Sequence, residues 1–288
     1  VMDVATIKKE RRIPARGDVL VGPGDTVQPD TLVARGIVPN PDIREIKLYV
    51  PLDVDPEQTR DYMLKTEGDA VERDEVIAIR RSFFGRQTKV ARSPITGTVE
   101  SYSPRSGRAL IRGAPIHVET VAHIPGKVVQ IIDSEGAIIE GRGYRLEGAF
   151  GVGGEARGMI AVVGENRQEP LTASDINESQ KGSIVVGGSV VTLDALKAAQ
   201  KAGVKGIITG GVDQKDLTYF IGREIGLGVT GDEGVGLTLI LLGGFGVNPI
   251  SPDAFGFLKE HEGWLACVDG STQIRSRIIR PEIIVPEQ

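Results

Sequence analysis

The chain has 288 residues, of which 40% are hydrophobic, 25% charged and only 5% aromatic, and its net charge is −5. This composition is typical of a globular protein of two or three domains, and the acidic balance argues against a protein built mainly to bind nucleic acid. A single cysteine, Cys267, excludes an intramolecular disulfide framework, and no apolar run approaches the roughly 20 residues of a membrane helix.

Two similar segments stand out in the N-terminal part of the chain: GDTVQPDTLVA at 24–34 and GDAVERDEVIA at 68–78. In each, glycine supplies a residue that accepts positive φ, and the aspartate after it caps its own backbone. The alternating apolar residues that follow predict a half-buried strand. We predict that the two segments form pseudo-symmetric halves of one β structure.

The second segment leads into ARSPITGTVESYSPRSG at 91–107. Together they resemble the biotinyl/lipoyl-like barrel-sandwich hybrid domains, and the stretch from Ser93 to Val99 is similar to that of the NqrA/RnfC electron-transfer subunits. The resemblance covers about residues 15–115 and implies a barrel-sandwich fold. In the carriers of this family a modified lysine lies about eight residues before the proline, but here Arg86 holds that position. A guanidinium cannot be biotinylated or lipoylated, so we expect no cofactor.

The segment 80–112 is strongly basic, with eight arginines and lysines against the single acid Glu100. Two adjacent aromatic residues beside positive charge at its predicted hairpin tip are typical of an interface anchor for a protein partner or a second copy of the chain. The alternative is a solvated basic strand face with the phenylalanines in or near the core. The residues predicted to make the contact are Phe83, Phe84, Arg86 and Lys89.

The strand pattern continues through 114–164, in short alternating runs that are separated by turns. This spacing predicts a small glycine-rich β-barrel or an extension of the first domain. The run GAFGVGGEARG at 148–158 lacks the G-x-G-x-x-G order between a strand and a helix, and after its glycines it departs from the Phe-Pro-Thr of RnfC-like proteins. We therefore expect tight turns or bulges there, not flavin or NAD binding.

Strands and helices alternate from about residue 171 onward. Helices are predicted over 192–203, 213–222 and 251–263, with Thr192 and Ser251 as N-caps. The alternation predicts an α/β domain around a mainly parallel sheet. The segment 181–212 is similar to the swivelling and protease-associated β/α domains. No histidine lies between 124 and 260, which excludes the phosphohistidine chemistry of the swivelling family.

Three of these predicted strands end in a Gly-Gly pair, and each pair is followed by a helix N-cap. The carboxyl ends of parallel strands gather at one edge of a sheet, where helix N-termini favour anions. The pairs therefore predict either the tight turns of short connections or a site for a small anionic ligand. The residues of this Gly-Gly edge are Gly187, Gly188, Gly210, Gly211, Gly243, Gly244 and Ser251.

Residues suited to catalysis are few. Cys267 lies in the apolar run WLACV, which predicts a buried and inert thiol. Asp232 and Glu233 are typical of a turn. Arg275 and Arg277 are predicted to lie on one face of a strand, and this face either binds an anion or is exposed to solvent. We assign no catalytic, cofactor-binding or metal-binding residue from the sequence.

The sequence thus predicts an α+β multidomain chain. An N-terminal all-β barrel-sandwich occupies 1–115, a small β-barrel 116–170, and an α/β domain with a mainly parallel sheet 171–288; this order resembles that of a family of uncharacterised bacterial proteins. The predicted function is a cytoplasmic, non-catalytic scaffold or accessory protein that acts through protein contacts or self-assembly, without membrane or nucleic acid. The alternative is an enzyme or sensor that binds a small anionic ligand at the Gly-Gly edge.

Overall fold

The computed structural model describes residues 3–81, 87–164, 166–222, 234–273 and 279–288. The fold is mostly β, with several sheets and few helices. Among the described helices, none is long and apolar enough to cross a membrane.

The secondary structure follows the chain as a long series of strands, with the longer α-helices confined to its C-terminal part. The strands are β1 (Ala5–Arg12), β2 (Gly17–Val19), β3 (Thr26–Val27), β4 (Leu32–Val38), β5 (Ile43–Lys47), β6 (Ala70–Val71), β7 (Val76–Arg81), β8 (Thr88–Arg92), β9 (Gly97–Ser103), β10 (Arg108–Gly113), β11 (Ile116–Val121), β12 (Gly126–Ile132), β13 (Gly136–Glu147), β14 (Phe150–Val152), β15 (Glu155–Val162), β16 (Ile184–Val186), β17 (Gly206–Val212), β18 (Thr238–Phe245), β19 (Leu265–Asp269) and β20 (Glu282–Pro286). The α-helices are α1 (Tyr49–Leu52), α2 (Leu193–Ala202), α3 (Gln214–Ile221) and α4 (Pro252–Glu260), and short 3-10 helices cover Pro56–Tyr62, Ala173–Asp175 and Glu178–Gln180.

The chain folds into two compact units, each assembled from segments that are distant in the sequence. Unit 1 contains Val1–Arg12, Leu20–Val33 and Val121–Gln288. Unit 2 contains Ile13–Val19 and Ala34–Thr120. Both units therefore take residues from the N-terminal part of the chain.

This grouping differs from the three segments predicted with boundaries at residues 115 and 170. Strand β13 pairs with β20 and β15 pairs with β16, so the residues predicted as a separate barrel share a sheet with the C-terminal strands. Strand β1 pairs with β13, which brings the first residues of the chain into the same unit. Alternating hydrophobicity locates a strand but not its partner, and the partners decide the grouping.

Unit 1 is built on one sheet of eleven strands, in the order β14-β18-β17-β16-β15-β19-β20-β13-β12-β3, with β1 also paired to β13. Strands β15, β16, β17 and β18 are parallel neighbours, whereas β19 and β20 run antiparallel. Strand β15 makes the change: residues 155–159 pair antiparallel with β19, and residues 160–162 pair in parallel with β16. The sheet is therefore mixed, with a parallel part in the segment where strands and helices alternate.

The parallel strands are buried on both faces, because successive side chains of a strand point to opposite sides. Val185 and Ile207 lie in an apolar cluster with Leu196 of α2. Their neighbours Val186 and Ile208 lie in a second cluster, which includes residues of α4. This two-sided burial explains the nearly continuous apolar runs of these strands in the sequence.

The three longer helices begin where their capping residues predicted. The side chains of Thr192, Asp213 and Ser251 each accept a hydrogen bond from a backbone N–H in the first turn of α2, α3 and α4. Gly203 and Gly222 end α2 and α3 in the left-handed conformation, at φ 77° and 75°. The predicted starts of all three helices are confirmed, and so are the glycine ends of two of them.

The two Gly-Asp segments fold alike but belong to different units. Gly24 and Gly68 have φ of 86° and 90°, and the side chains of Asp25 and Asp69 each accept a backbone hydrogen bond of 2.7 Å within the turn. Strand β3 then pairs with β12 in unit 1, whereas β6 pairs with β9 in unit 2. The prediction that the segments are halves of one β structure was wrong, because the same local turn serves two separate sets of strands.

Unit 2 contains the four-stranded sheet β5-β10-β9-β6 and the hairpin β7–β8. Its core is formed by buried apolar side chains from these strands and from α1, among them Leu52, Ile77, Val99 and Ile111. A 3-10 helix begins at Pro56 after the N-cap Asp55.

Candidate functional site

Four carboxylates lie in one row across the sheet of unit 1, which we call the carboxylate row. Glu155 on β15 is paired with Asp269 on β19, Asp269 with Glu282 on β20, and Glu282 with Glu147 on β13. Directly opposed residues on neighbouring strands point to the same face, with Cβ atoms about 5 Å apart. Like charges at such spacing repel each other, so the row needs cations beside it.

Strand β1 supplies two of these cations, because Lys9 and Arg11 occupy positions on its less exposed face. The Lys9 ammonium donates to Glu282, and the Arg11 guanidinium makes two hydrogen bonds to Glu155, one of them 2.7 Å long. Arg145 adds a third cation, with its Nε 3.1 Å from Glu282 Oε2. The Lys9 and Arg11 side chains are only 17% and 11% exposed, so these charges are paired in a largely dehydrated environment.

His123 lies in the interior beside the carboxylate row and is only 1% exposed. Its backbone has a left-handed φ of 69°, and its N–H donates to the Pro29 carbonyl at 2.9 Å. Nδ1 lies 3.7 Å from Glu155 Oε2, and Nε2 is buried with no hydrogen-bond partner among the described residues. Burial lowers the pKa of His123 below its usual value, although the nearby charge of Glu155 acts to raise it.

The lowered pKa of His123 predicts a loss of stability in mild acid. The unfolded chain binds a proton at this histidine below about pH 6.5, whereas the folded chain resists protonation, so the free energy of unfolding should fall as the pH decreases from about 6.5. His123→Asn should reduce this pH dependence, since asparagine tolerates a positive φ and does not titrate. Urea unfolding between pH 5.5 and 7.5 checks it.

The control for this experiment is His117→Asn, which removes an exposed histidine and should keep the acid sensitivity of the wild type. Glu155 does not interfere in this pH range. Burial is the largest single effect on its pKa and acts to raise it. The hydrogen bonds from Arg11 and the positive charges of His123, Arg11 and Lys9 together outweigh burial and lower the pKa, so the contribution of Glu155 is lost only in stronger acid. Equal pH dependence in His123→Asn and the wild type would contradict the prediction.

Cys267 is fully buried in the core of unit 1, as the sequence predicted. Burial raises the pKa of its thiol to about 12, so the thiolate is scarce at neutral pH. Within the ranges that the structure describes, no three histidine, cysteine, aspartate or glutamate side chains are arranged to hold a metal ion. Three carboxylates of the row, Glu147, Glu155 and Glu282, are ion-paired with Arg145, Arg11 and Lys9.

A cavity of about 740 Å³, which we call the charged groove, lies over part of this array. Among the described residues that line it, acids and bases are equal in number. The acids are Glu10, Glu147, Asp269 and Glu282. The bases are Lys8, Lys9, Arg145 and Arg280. The described lining therefore presents many charges without a net charge.

Most of these charges are already paired. The pairs are Lys8 with Glu140, Glu10 with Arg12, Lys9 with Glu282, and Arg145 with both Glu282 and Glu147. Asp269 and Arg280 differ from the rest, because neither forms an ion pair among the described residues. Asp269 accepts one hydrogen bond through Oδ1, from the backbone N–H of Ser271 at 2.9 Å. The groove thus offers one uncompensated carboxylate and one uncompensated guanidinium.

The predicted contact residues Phe83, Phe84 and Arg86 lie outside the described residues. Lys89 is described, and its ammonium lies 2.6 Å from Asp53 Oδ2 on unit 2 itself. Other cations of the basic segment are also engaged within unit 2. They are Arg80 with the carbonyls of Leu52 and Asp53, Arg92 with the carbonyl of Asp74, Arg108 with Glu45, and Arg112 with Glu100. Lys89, Arg108 and Arg112 therefore pair with carboxylates of unit 2, whereas Arg80 and Arg92 donate chiefly to backbone carbonyls.

The structure brings the Gly-Gly pairs together at one edge of the parallel strands. The Gly210 N–H donates to the Gly188 carbonyl at 3.1 Å, and Gly211 is paired with Gly244. The space beside them is filled by backbone, since a Cβ on Gly210 would lie 1.5 Å from the Asn248 carbonyl oxygen. Close packing accounts for Gly187, Gly188, Gly210, Gly211 and Gly243, whereas Gly244 has open space beside it and a φ of 108°. The anion site remains a prediction.

The glycine-rich run at 148–158 forms β14 and the beginning of β15. Gly153 lies in the turn between them at φ 78°, a conformation that favours glycine. The run lies between strands in an antiparallel part of the sheet, which fits the expected tight turn. Four other residues considered from the sequence lie outside the described ranges: Asp232, Glu233, Arg275 and Arg277.

The charged groove was not predicted from the sequence, although the sequence contains one signal of it. Lys9 and Arg11 occupy the same face as the buried Ile7 in strand β1, and Glu282 stands at the beginning of the apolar run of β20. Charges at inward positions of a strand require partners, and these partners come from distant strands. No protein-family model, curated protein or solved structure matches the chain, so its function is inferred from the geometry of its own side chains.

Proposed function

We propose that the protein is a non-catalytic, ligand-binding accessory protein whose binding site is the charged groove of unit 1. The observation that carries the proposal is the pairing state of the groove: of the charged lining residues that the structure describes, Asp269 and Arg280 form no ion pair with another described residue, whereas the others do. The paired charges around them hold the walls in a fixed arrangement. Preorganised charges bind a ligand with little cost of reorganisation.

We propose no reaction for the groove, because the side chains that usually perform acid–base or nucleophilic chemistry are buried. His123 is 1% exposed and the Cys267 thiol is fully buried, so a ligand in the groove has no direct access to either from solvent. The remaining groove residues are carboxylates, ammonium groups and guanidinium groups, most of them held in ion pairs. This arrangement favours recognition of a ligand over its chemical conversion.

Thermal unfolding with a panel of charged small molecules tests the binding proposal. The panel contains free amino acids, dicarboxylates, diamines, phosphorylated metabolites, nucleotides and acyl-CoA. A ligand present at 100 times its Kd should raise the Tm by about 5–10 °C. Asp269→Asn and Arg280→Gln should remove most of that rise. Arg142→Gln, which changes an exposed residue of the same unit that does not line the groove, should retain it.

The same experiment separates the groove from the Gly-Gly edge, the alternative site for an enzyme or sensor of small anions. A ligand whose stabilising effect persists in Asp269→Asn and Arg280→Gln but disappears in Ser251→Ala would place binding at that edge. This result, or the absence of any stabilising compound, would overturn the proposal for the groove.

We propose a second role for unit 2, as an unmodified barrel-sandwich hybrid of the biotinyl/lipoyl-like type within an α+β multidomain chain. In this role it docks a protein partner or a second copy through Phe83, Phe84, Arg86 and Lys89. The supporting observation is the exposed Val50 on α1, 63% accessible, because α1 contacts strand β8 of the same hairpin. An apolar residue beside the hairpin enlarges the surface available for contact.

Light scattering of Phe84→Ala and Arg86→Glu tests this second role. The proposal predicts that either change lowers the oligomeric mass of the purified protein or abolishes the pull-down of a partner. Lys47→Glu, a charge reversal on strand β5, is the matched control and should change neither. Unchanged mass and unchanged pull-down in both hairpin variants would contradict a contact role for the hairpin.

A further inference from the structure

The two uncompensated charges of the groove lie close together but do not meet. Asp269 is the cross-strand partner of Glu282, and Arg280 precedes Glu282 by two residues on the same chain segment. Arg280 lies two residues before the start of β20 and lines the same groove as Asp269. A bridge between Gln273 and Ile279 lies immediately before Arg280 in the chain. A carboxylate and a guanidinium that do not pair with each other therefore line one cavity.

The balance between acids and bases in the described lining of the groove indicates which charges a ligand should carry. Four acids and four bases are found among the described lining residues, so this part of the lining has no net charge to attract a simple anion or a simple cation. An anion on Arg280 alone would leave the partly buried Asp269 unpaired beside the carboxylate row. A cation on Asp269 alone would leave the exposed Arg280 without an ion-pair partner among the described residues. An unpaired charge that is partly removed from water is unfavourable, and a ligand that carries both charges pairs with both groups.

We propose that the charged groove binds a small zwitterion, a free amino acid being the simplest, with its ammonium on Asp269 and its carboxylate on Arg280. The inference rests on the proposed function of the groove as a binding site. A guanidinium binds a carboxylate with two parallel hydrogen bonds, and the free Oδ2 of Asp269 accepts from an ammonium. Both contacts are charge-assisted and are stronger than hydrogen bonds between neutral groups.

Isothermal titration calorimetry with free amino acids and their blocked derivatives tests the proposal. Each free amino acid is compared with its N-acetyl derivative, which lacks the ammonium, and with its carboxamide, which lacks the carboxylate. We expect at least one free amino acid to bind, and we expect blocking either group to weaken binding by at least tenfold. Equal binding of a free amino acid and its blocked forms would overturn the proposal.

Two variants assign each contact. Asp269→Asn keeps the oxygen that accepts from Ser271 but removes the charge, and Arg280→Gln removes the guanidinium. Each should weaken binding of the free amino acid at least tenfold, and Arg142→Gln should not change it. Asp269→Asn should bind the N-acetyl derivative almost as tightly as it binds the free amino acid, because this variant has already lost the contact to the ammonium. Binding that is unchanged in both groove variants would place the ligand elsewhere and overturn the inference.

The outcomes also separate this inference from the proposed function. If no free amino acid binds but another charged compound does, and its binding is lost in Asp269→Asn or Arg280→Gln, the groove is a binding site and the zwitterion assignment is wrong. If no compound of the thermal panel and no amino acid binds, both proposals are wrong.

Discussion

Replacing Gly210 with alanine should lower the free energy of unfolding by about 3 kcal/mol or more, or prevent unit 1 from folding. The new Cβ would lie 1.5 Å from the Asn248 carbonyl oxygen and 3.0 Å from the carbonyl oxygen of Ser189. Both obstacles are backbone atoms, which cannot move aside as the end of a side chain can. The Asn248 backbone is itself held by a 2.8 Å hydrogen bond from its N–H to the Ser189 carbonyl.

The same substitution at Gly256 provides a matched control in the same unit. Gly256 lies within helix α4, and a Cβ there meets no atom within 4 Å. Alanine is a better helix former than glycine, so Gly256→Ala should stabilise the protein by up to about 1 kcal/mol. Urea unfolding followed by the fluorescence of Trp264, the single tryptophan, measures both variants. A loss of less than 0.5 kcal/mol in the free energy of unfolding for Gly210→Ala would contradict the close backbone packing at the Gly-Gly edge.

The second large effect is expected at the ion pairs under the groove. Glu282→Gln should cost about 3–5 kcal/mol, because it leaves the Lys9 ammonium, only 17% exposed, without its carboxylate. The double variant Lys9→Met/Glu282→Leu should recover most of that loss, since well-packed apolar side chains commonly replace a buried ion pair without penalty. Chemical unfolding of Lys9→Met, Glu282→Leu and the double variant gives the coupling free energy.

An exposed pair on the same strand controls for the general effect of removing charge. Lys8 and Glu140 are 63% and 36% exposed and 3.1 Å apart, so Lys8→Met should change the stability by less than about 1 kcal/mol. The cost of Glu282→Gln should also persist in 1 M salt, which screens exposed pairs far more than dehydrated ones. Similar costs for Lys8→Met and Glu282→Gln would contradict the description of the groove wall as a dehydrated ion-pair array.

The local structure of the C-terminal segment was predictable because its signals are local. Thr192, Asp213 and Ser251 cap helices within three residues of themselves, and Gly203 ends a helix through its own φ. The Gly-Asp turns were predictable for the same reason. The pairing of the strands was not predictable, because nothing in the segments at 24–34 and 68–78 indicates that β3 pairs with β12 and β6 with β9.

The candidate site depends on the pairing of distant strands even more strongly. The carboxylate row joins Glu147, Glu155, Asp269 and Glu282 through three separate strand pairings, and its cations come from the first residues of the chain. A sequence contains the charges but not their neighbours. The same holds in the basic segment, where Lys89 and Arg108 pair with Asp53 and Glu45, which lie outside it.

Hydrogen–deuterium exchange with and without the most stabilising free amino acid tests most directly whether the charged groove is the binding site. Binding there should slow exchange in peptides that cover residues 5–10, 265–271 and 279–286, and leave residues 209–212 and 243–251 unchanged. The protection should disappear in Asp269→Asn. Protection confined to the Gly-Gly edge, or no protection in any of these segments, would contradict a binding site in the groove.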